Sequence, residues 1–179
     1  MYNVKIKMNL RLGIILVIIA VFSTACSDGG EDAASDKDIK ELVHDYSVGN
    51  IEAEAASITS SELMVKDENQ EETAYELPED EFFVSIAPFV NETHECDIHS
   101  LTGCQGELVD TEFEVYIEDS AGEVIKDEEM KTEANGFIDL WLPRNETLTV
   151  TITQDGEEST SEITTFDGDK TCITDMQMT

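Results

Sequence analysis

Basic residues are scarce in this chain of 179 residues, which has 10 Lys and Arg side chains against 41 Asp and Glu side chains. The formal net charge is -31, so the surface repels nucleic-acid phosphates and anionic lipid headgroups. We therefore expect no nucleic-acid partner. So many carboxylates are typical of a solvated acidic surface, and they prevent any one Asp–Glu pair from being singled out as a catalytic acid and base.

The chain also lacks a hydrophobic run long enough for a comfortable membrane span, and it lacks the common catalytic motifs. The apolar segment near the N-terminus, residues 12–22, has 11 residues, whereas a spanning helix needs about 20. No phosphate-binding loop, serine triad or dinucleotide-binding fingerprint occurs in the sequence. The sequence therefore gives no indication of a membrane-spanning protein or of one of these enzyme classes.

The N-terminus is typical of an export signal. Three basic residues precede the apolar segment, and small residues then lead to Cys26. This pattern resembles the bacterial lipoprotein signal, in which the cysteine is lipidated and becomes the first residue of the mature protein. We predict a signal peptide over residues 1–25 and a lipid anchor on Cys26, which would hold the protein at the periplasmic face of the membrane or at a Gram-positive cell surface. Ordinary signal cleavage, which releases a soluble protein, is the alternative.

The mature chain predicts a tether followed by a small N-terminal part. Residues 26–36 are rich in Gly, Ala and Asp and have no apolar periodicity, which is typical of a flexible tether. Residues 37–90 predict one helix, ending near Val48, because apolar residues recur there at helical spacing. Residues 61–66 and 72–77 then predict the two strands of a hairpin.

Residues 91–179 predict a long loop and an antiparallel β-sandwich-like part, so the fold class is mainly β (α+β). The most apolar run of the mature chain, residues 82–90, predicts a buried strand whose end is an edge or a bend, because it contains Pro88. Residues 91–110 show little periodicity and predict an irregular loop, where function is expected on a rigid scaffold. From residue 111 onward, short alternating segments separated by turns predict the sandwich strands.

The long loop contains two imidazoles and two thiols within 11 residues, namely His94, Cys96, His99 and Cys104. Cys172 follows far along the chain, on the last predicted strand. Lipidation of the signal cysteine leaves three cysteines, and an odd number leaves at least one thiol unpaired unless chains cross-link. Exported proteins usually pair their cysteines, so an unpaired thiol indicates metal or redox chemistry.

Soft sulfur donors select Cu(I) or Zn(II) over Mg or Ca. Three thiolates suit a trigonal Cu(I) site, to which an imidazole adds a fourth donor. His94 is the preferred histidine because it lies two residues from Cys96, and His99 is the second candidate. Zinc is the alternative metal, but copper is preferred to it because the spacing does not match a Cys-x-x-Cys zinc finger. A disulfide between Cys96 and Cys104 is the alternative use of two thiols.

Three segments resemble the CueP family of bacterial extracytoplasmic copper-binding proteins. They are FFVSIAPFVNETHECDIHSLTGCQGE (82–107), NGFIDLWLPRN (135–145) and TCITDMQMT (171–179). The resemblance covers about residues 38–179.

The resemblance implies a function in copper resistance at the cell envelope. It assigns Cys96, Cys104 and Cys172 as copper ligands, and it matches His94 to a histidine beside the first of them. It also implies reduction of Cu(II) to Cu(I), which would be the protein's enzymatic activity, with a thiol-redox partner that restores the cysteines. Superoxide dismutase is the implied copper-receiving protein, and the N-terminal part is the implied contact of a homodimer.

Two other functions stay open on the sequence. One is an envelope thiol–disulfide exchange protein in which metal is incidental. The other is a β-sandwich interaction module that binds an envelope protein.

Overall fold

The computed structural model describes residues 36–179. The predicted signal peptide, the lipidation site Cys26 and all but the last residue of the predicted tether lie outside the described residues. Within residues 36–179, no helix is long and apolar enough to cross a membrane.

The fold is mainly β, as the sequence predicts. The described chain forms one helix and eleven strands: α1 (Asp36–Ser47), β1 (Ala55–Ile58), β2 (Glu62–Lys66), β3 (Glu72–Glu76), β4 (Glu81–Ile86), β5 (His99–Ser100), β6 (Glu112–Asp119), β7 (Val124–Lys131), β8 (Ile138–Pro143), β9 (Thr147–Gln154), β10 (Glu157–Thr164) and β11 (Cys172–Ile173). They make three sheets with the strand orders β3-β2-β1-β5, β10-β9-β6-β7 and β11-β4-β8. All strand pairs are antiparallel except β11 with β4.

The predicted helix and hairpin form in the N-terminal part. The turn between β2 and β3 is closed by Asp67, whose Oδ1 accepts hydrogen bonds from the N–H groups of Asn69 at 2.8 Å and Glu71 at 2.9 Å. The short side chain of Asp can accept hydrogen bonds from backbone N–H groups that follow it in sequence, and for this reason Asp is common in turns. The apolar face of α1, with Ile39 and Val43, packs against β1 and β2 to form an N-terminal core.

Strand β4 lies at the centre of the three-stranded sheet and is buried on both faces. Phe82 and Val84 face a C-terminal apolar core, whereas Phe83 faces the N-terminal core. A strand covered on both faces has a continuous apolar run instead of an alternating one. Pro88 lies two residues beyond the end of the strand, so the predicted bend marks the end of β4, which is not an edge strand.

The C-terminal core is formed mainly by β4, β6, β8 and β9. Its members on β6 and β9 alternate with more exposed residues, as the period-two pattern predicts. They are Phe113, Val115, Ile117, Leu148, Val150 and Ile152.

Two differences from the sequence prediction matter for the site. The predicted irregular loop contains a short strand, β5, which pairs with β1 so that His99 lies opposite Ile58. The last predicted strand, which carries Cys172, is reduced to Cys172 and Ile173 and is followed by an isolated parallel bridge between Phe89 and Gln177. Both segments are fixed to neighbouring strands, although neither has enough residues to show periodicity.

Candidate metal centre

Cys172 is fixed by the parallel pairing of β11 with β4. It lies opposite Ser85 in the register, and its side chain is 1% exposed. Beyond β11 the chain stays attached to the continuation of β4, because Phe89 donates to the carbonyl of Met176 at 3.1 Å and accepts from Met178 N–H at 2.8 Å. Cys172 therefore belongs to the rigid part of the fold and not to a free C-terminal tail.

Cys96 lies in the loop that follows β4, and the start of that loop is capped by Glu107. Oε2 of Glu107 accepts hydrogen bonds from the N–H groups of Val90 at 2.6 Å, Asn91 at 2.9 Å and Glu92 at 3.3 Å. These bonds favour the charged carboxylate and hold the pKa of Glu107 at about 2, below its ordinary value of 4.5. The cap fixes the direction in which the chain approaches Cys96.

Cys104 returns to the same place through a tight turn after β5. Its N–H donates to the carbonyl of Ser100 at 2.9 Å. The chain beyond it passes so close to another turn that a Cβ on Gly106 would lie 2.4 Å from the carbonyl oxygen of Gly136. Gly136 also has a φ of +80°, which favours glycine. Glycine at both positions permits this contact.

The three cysteines meet at one point. The Sγ atoms of Cys96, Cys104 and Cys172 and a ring nitrogen of His99 all lie within 4.8 Å of one another. Cys96 and Cys172 form a disulfide with a Cα–Cα distance of 5.6 Å, and Sγ of Cys104 is 3.5 Å from Sγ of Cys96. We call these four residues the metal cluster. Their arrangement suits one soft ion, once the disulfide is reduced.

The disulfide is not the one considered from the sequence. The sequence alternative joined Cys96 to Cys104, eight residues apart, and left Cys172 free. In the structure Cys96 is bonded to Cys172, and the free thiol among residues 36–179 is the half-buried Cys104. The reason is the pairing of β11 with β4, which brings Cys172 beside the loop that leaves β4.

His99 is the buried imidazole of the cluster. It is 0% exposed, and neither Nδ1 nor Nε2 has a hydrogen-bond partner among the described residues. Burial, and then the nearby His94, lower its pKa to about 4, so the ring is neutral, which is the form that binds a metal. A buried unpaired nitrogen is costly unless a ligand completes it. A metal ion in the cluster would supply that partner, so the donor set fits a soft metal.

His94, the preferred histidine of the sequence analysis, lies outside the cluster. Its exposed ring is 6.3 Å from the ring of Phe137, whereas the ring of His99 is 4.5 Å from Phe137. Phe137 and Ala87 form the apolar surroundings of Cys172. His99 is therefore better placed than His94 to complete a site with the three sulfurs, because pairing of β5 with β1 turns it inward.

An open cleft leads to the cluster. It has a volume of about 830 Å³, and its lining includes Phe89, His94, Cys96, Lys170, Cys172 and Asp175. The carboxylates of Glu95 and Asp97 also line it. The single lysine of this lining forms an ion pair with Asp97, with 2.6 Å between Nζ and Oδ1. The cleft is therefore acidic, and its field attracts cations.

Glu107, which shapes the loop that leads to Cys96, is a residue that the sequence analysis missed. One glutamate among 41 acidic residues has no distinguishing signal in the sequence. Its importance follows only from the three N–H groups that face it in the folded chain.

Comparisons with known proteins relate the chain to a copper-binding family. A family model described as the periplasmic copper-binding protein CueP matches residues 40–177. A solved structure described as the crystal structure of S.CueP is 36% identical, with a TM-score of 0.74. The match covers 79% of this chain and 89% of that chain. No curated protein matches the chain.

Proposed function

The chain belongs to the CueP family of periplasmic copper-binding proteins, and from that premise we propose that it captures copper as a cargo outside the cytoplasm. The observation that supports this most directly is the metal cluster, in which three sulfurs and an unpaired imidazole nitrogen lie within 4.8 Å of one another. Few binding functions other than metal capture need this combination of donors.

The cargo is Cu(I), held by the thiolates of Cys96, Cys104 and Cys172, with His99 as the fourth donor. Thiolates and a neutral imidazole are soft or intermediate ligands, so they favour Cu(I), and zinc is the alternative. His94 lies on the wall of the cleft, where it can contact the ion as it enters, and it is not a ligand in the final site. The acidic lining of the cleft raises the local concentration of the ion.

The disulfide sets the redox requirement of this function. Binding through three thiolates needs two electrons from a thiol donor to reduce the bond between Cys96 and Cys172. In the reverse direction, two Cu(II) ions each accept one electron from these two thiols, which become the disulfide and release their protons to solvent. Reduction of Cu(II) therefore consumes the site, and a thiol-redox partner must restore it.

The proposal also includes a location and partners. The export signal over residues 1–25 and the lipidation pattern at Cys26 support an extracytoplasmic protein attached to the membrane by lipid. A copper-receiving protein such as a superoxide dismutase, and a homodimer through the N-terminal part, complete the proposal by resemblance to the CueP family.

Titration of the reduced protein with Cu(I), against a chelator of known affinity, tests the ligand set. We expect one ion per chain and loss of binding in the triple variant Cys96→Ser, Cys104→Ser, Cys172→Ser. His99→Ala should weaken binding by more than the matched change His94→Ala. X-ray absorption on the loaded protein should count three sulfur neighbours and one nitrogen neighbour. Unchanged affinity in the triple variant would refute the site.

The position of the free thiol supports a second candidate, thiol–disulfide exchange. Sγ of Cys104 lies 3.5 Å from one sulfur of the disulfide, so a thiol and a disulfide stand together as exchange requires. Turnover with a dithiol substrate in the presence of a metal chelator would favour this candidate. A rise in melting temperature with Cu(I) would favour copper capture, since a ligand that binds only the folded state stabilises it.

A further inference from the structure

Thr171 connects the chain segments that carry the metal cluster. It is 0% exposed and directly precedes Cys172. Its N–H donates to the carbonyl of Asp97 at 3.0 Å, and its carbonyl accepts from the N–H of Ser85 at 2.9 Å. The backbone of Thr171 therefore joins the loop residue that follows Cys96 to strand β4.

The hydroxyl of Thr171 makes a second pair of connections. Oγ1 donates to the carbonyl of Ile58 on β1 at 2.6 Å, and it accepts a hydrogen bond from the N–H of His99 at 3.0 Å. One buried hydroxyl thus satisfies a donor and an acceptor of two strands that are distant in sequence. Loss of the hydroxyl would remove both of these bonds from a buried site, which is costly.

We propose that Thr171 is the positioning residue of the copper centre: its hydroxyl fixes the backbone of His99 relative to Cys172, so that imidazole and sulfur meet at one ion. The role in copper binding rests on the proposed function, whereas the hydrogen bonds of Thr171 are present whether or not the site binds copper. Metal–sulfur and metal–nitrogen bonds are about 2.0–2.3 Å long, so the donors must be placed within about 0.5 Å. A hydrogen bond at the backbone of the histidine and next to the cysteine gives this control.

The chain offers a matched control in Thr165. It is also 0% exposed, and its Oγ1 donates to the carbonyl of Pro143 at 2.8 Å and accepts from the N–H of Glu146 at 2.9 Å. Neither partner adjoins a residue of the metal cluster in sequence. Thr165→Val therefore removes the same two kinds of hydrogen bond from a buried site, and any general loss of stability should appear in both variants.

The test compares Thr171→Val with Thr165→Val and with Thr171→Ser, each measured as the reduced full chain. We expect Thr171→Val to weaken Cu(I) binding by about 10- to 100-fold, as loss of a residue that orients ligands usually does. Thr165→Val and Thr171→Ser should stay close to the unaltered protein. X-ray absorption of loaded Thr171→Val should lose its nitrogen neighbour while keeping the sulfurs.

A second readout needs no metal. After oxidation in air, peptide mapping should find the bond between Cys96 and Cys172 in the unaltered protein and in Thr165→Val. Thr171→Val should give a mixture that includes a bond between Cys96 and Cys104, because the hydroxyl no longer fixes the segment from His99 to Cys104 relative to Cys172. This readout keeps the inference testable even if the unaltered protein fails to bind Cu(I), which would refute the proposed function alone.

Equal copper affinity and equal disulfide pattern in Thr171→Val and Thr165→Val would overturn the inference. If Thr171→Val does not fold, Thr171→Ala and Thr171→Ser replace it, since both lack the methyl group and differ only in the hydroxyl. Weaker binding in Thr171→Ala than in Thr171→Ser supports the hydroxyl. Equal weakening in both would assign the effect to packing and also overturn the inference.

Discussion

The C-terminal apolar core and the metal cluster lie in the same compact unit but are held in different ways. The core is built on strands β6 and β9, whose backbone groups pair in long ladders and whose apolar residues alternate. The metal cluster is carried by a loop and two strands of two residues each, β5 and β11. There, side chains such as Glu107 and Thr171 add hydrogen bonds to the backbone of these short segments.

Because of this difference, the free energy of folding and the binding of metal depend on different residues. Burial of apolar area supplies most of the free energy of folding, so the core can tolerate no large cavity. Donor placement depends on a few hydrogen bonds, each worth about 0.5–1.5 kcal/mol net. Damage to the core should lower stability without changing the affinity of the folded protein for copper. In the reduced protein, where no disulfide contributes to stability, damage to the cluster should lower the copper affinity more than the stability.

The largest effect is expected from Phe113→Ala in the core. Phe113 is 1% exposed, and truncation of a buried Phe lowers the free energy of unfolding by about 3–5 kcal/mol. Urea unfolding measures this loss, and Val124→Ala is the control, because Val124 is 50% exposed. Under conditions where both variants are folded, Cu(I) affinity should be unchanged. A tenfold drop in Cu(I) affinity would contradict the idea that the core affects stability but not copper binding.

The disulfide should give the next largest effect on the oxidised, metal-free protein. Cys96 and Cys172 are 76 residues apart, and a bond that closes so long a loop stabilises a fold by about 2–5 kcal/mol. Cys172→Ser should lose this amount in urea unfolding, whereas Cys104→Ser should keep most of it. Peptide mapping must show that no bond between Cys96 and Cys104 has formed in Cys172→Ser. If the two variants still differ in free energy of unfolding under a strong reductant, the disulfide is not the cause of the difference.

The smallest effect is a pH dependence that arises from Glu107. Its pKa in the folded protein is about 2, below the ordinary value of 4.5, because the charged carboxylate accepts backbone N–H groups. A lowered folded pKa means that its contribution to stability is complete above about pH 4.5 and is lost as the pH falls towards about 2. Glu107→Gln should remove this part of the acid transition, and Glu62→Gln, at the exposed first residue of β2, is the matched control.

Melting temperatures of both glutamine variants between pH 2 and pH 7, set beside those of the unaltered protein, measure this effect. Convergence of Glu107→Gln with the unaltered protein at low pH is expected. A constant gap at every pH would mean that the charge of Glu107 is not involved.

Periodicity predicted the regular parts of the fold because burial repeats with the geometry of the element. Phe113, Val115 and Ile117 could be placed on one face of a strand without coordinates, since alternate residues of a strand share a face. Strand β5 could not be predicted, because two residues show no period. Its pairing with β1 depends on contacts between residues 57–58 and 99–100, which lie more than 40 positions apart.

The candidate site was predictable in its chemistry and less so in its geometry. Cys96, Cys104 and Cys172 could be chosen because thiols are few and soft, and their sulfurs do lie together. The choice between His94 and His99 could not be made from spacing, since proximity to Cys96 in sequence favours His94, whereas the fold turns His99 inward. The roles of Glu107 and Thr171 depend on hydrogen bonds across the fold.

The sequence by itself determined the acidic charge, the mainly β class and the presence of sulfur and imidazole donors, because these follow from composition and local periodicity. The tertiary structure alone decided which sulfurs are bonded, which histidine lies beside them and which side chains fix these segments. The physical reason is that donors 76 residues apart meet through the parallel contact of β11 with β4. That contact is set by packing of the whole core and leaves no local trace in the chain.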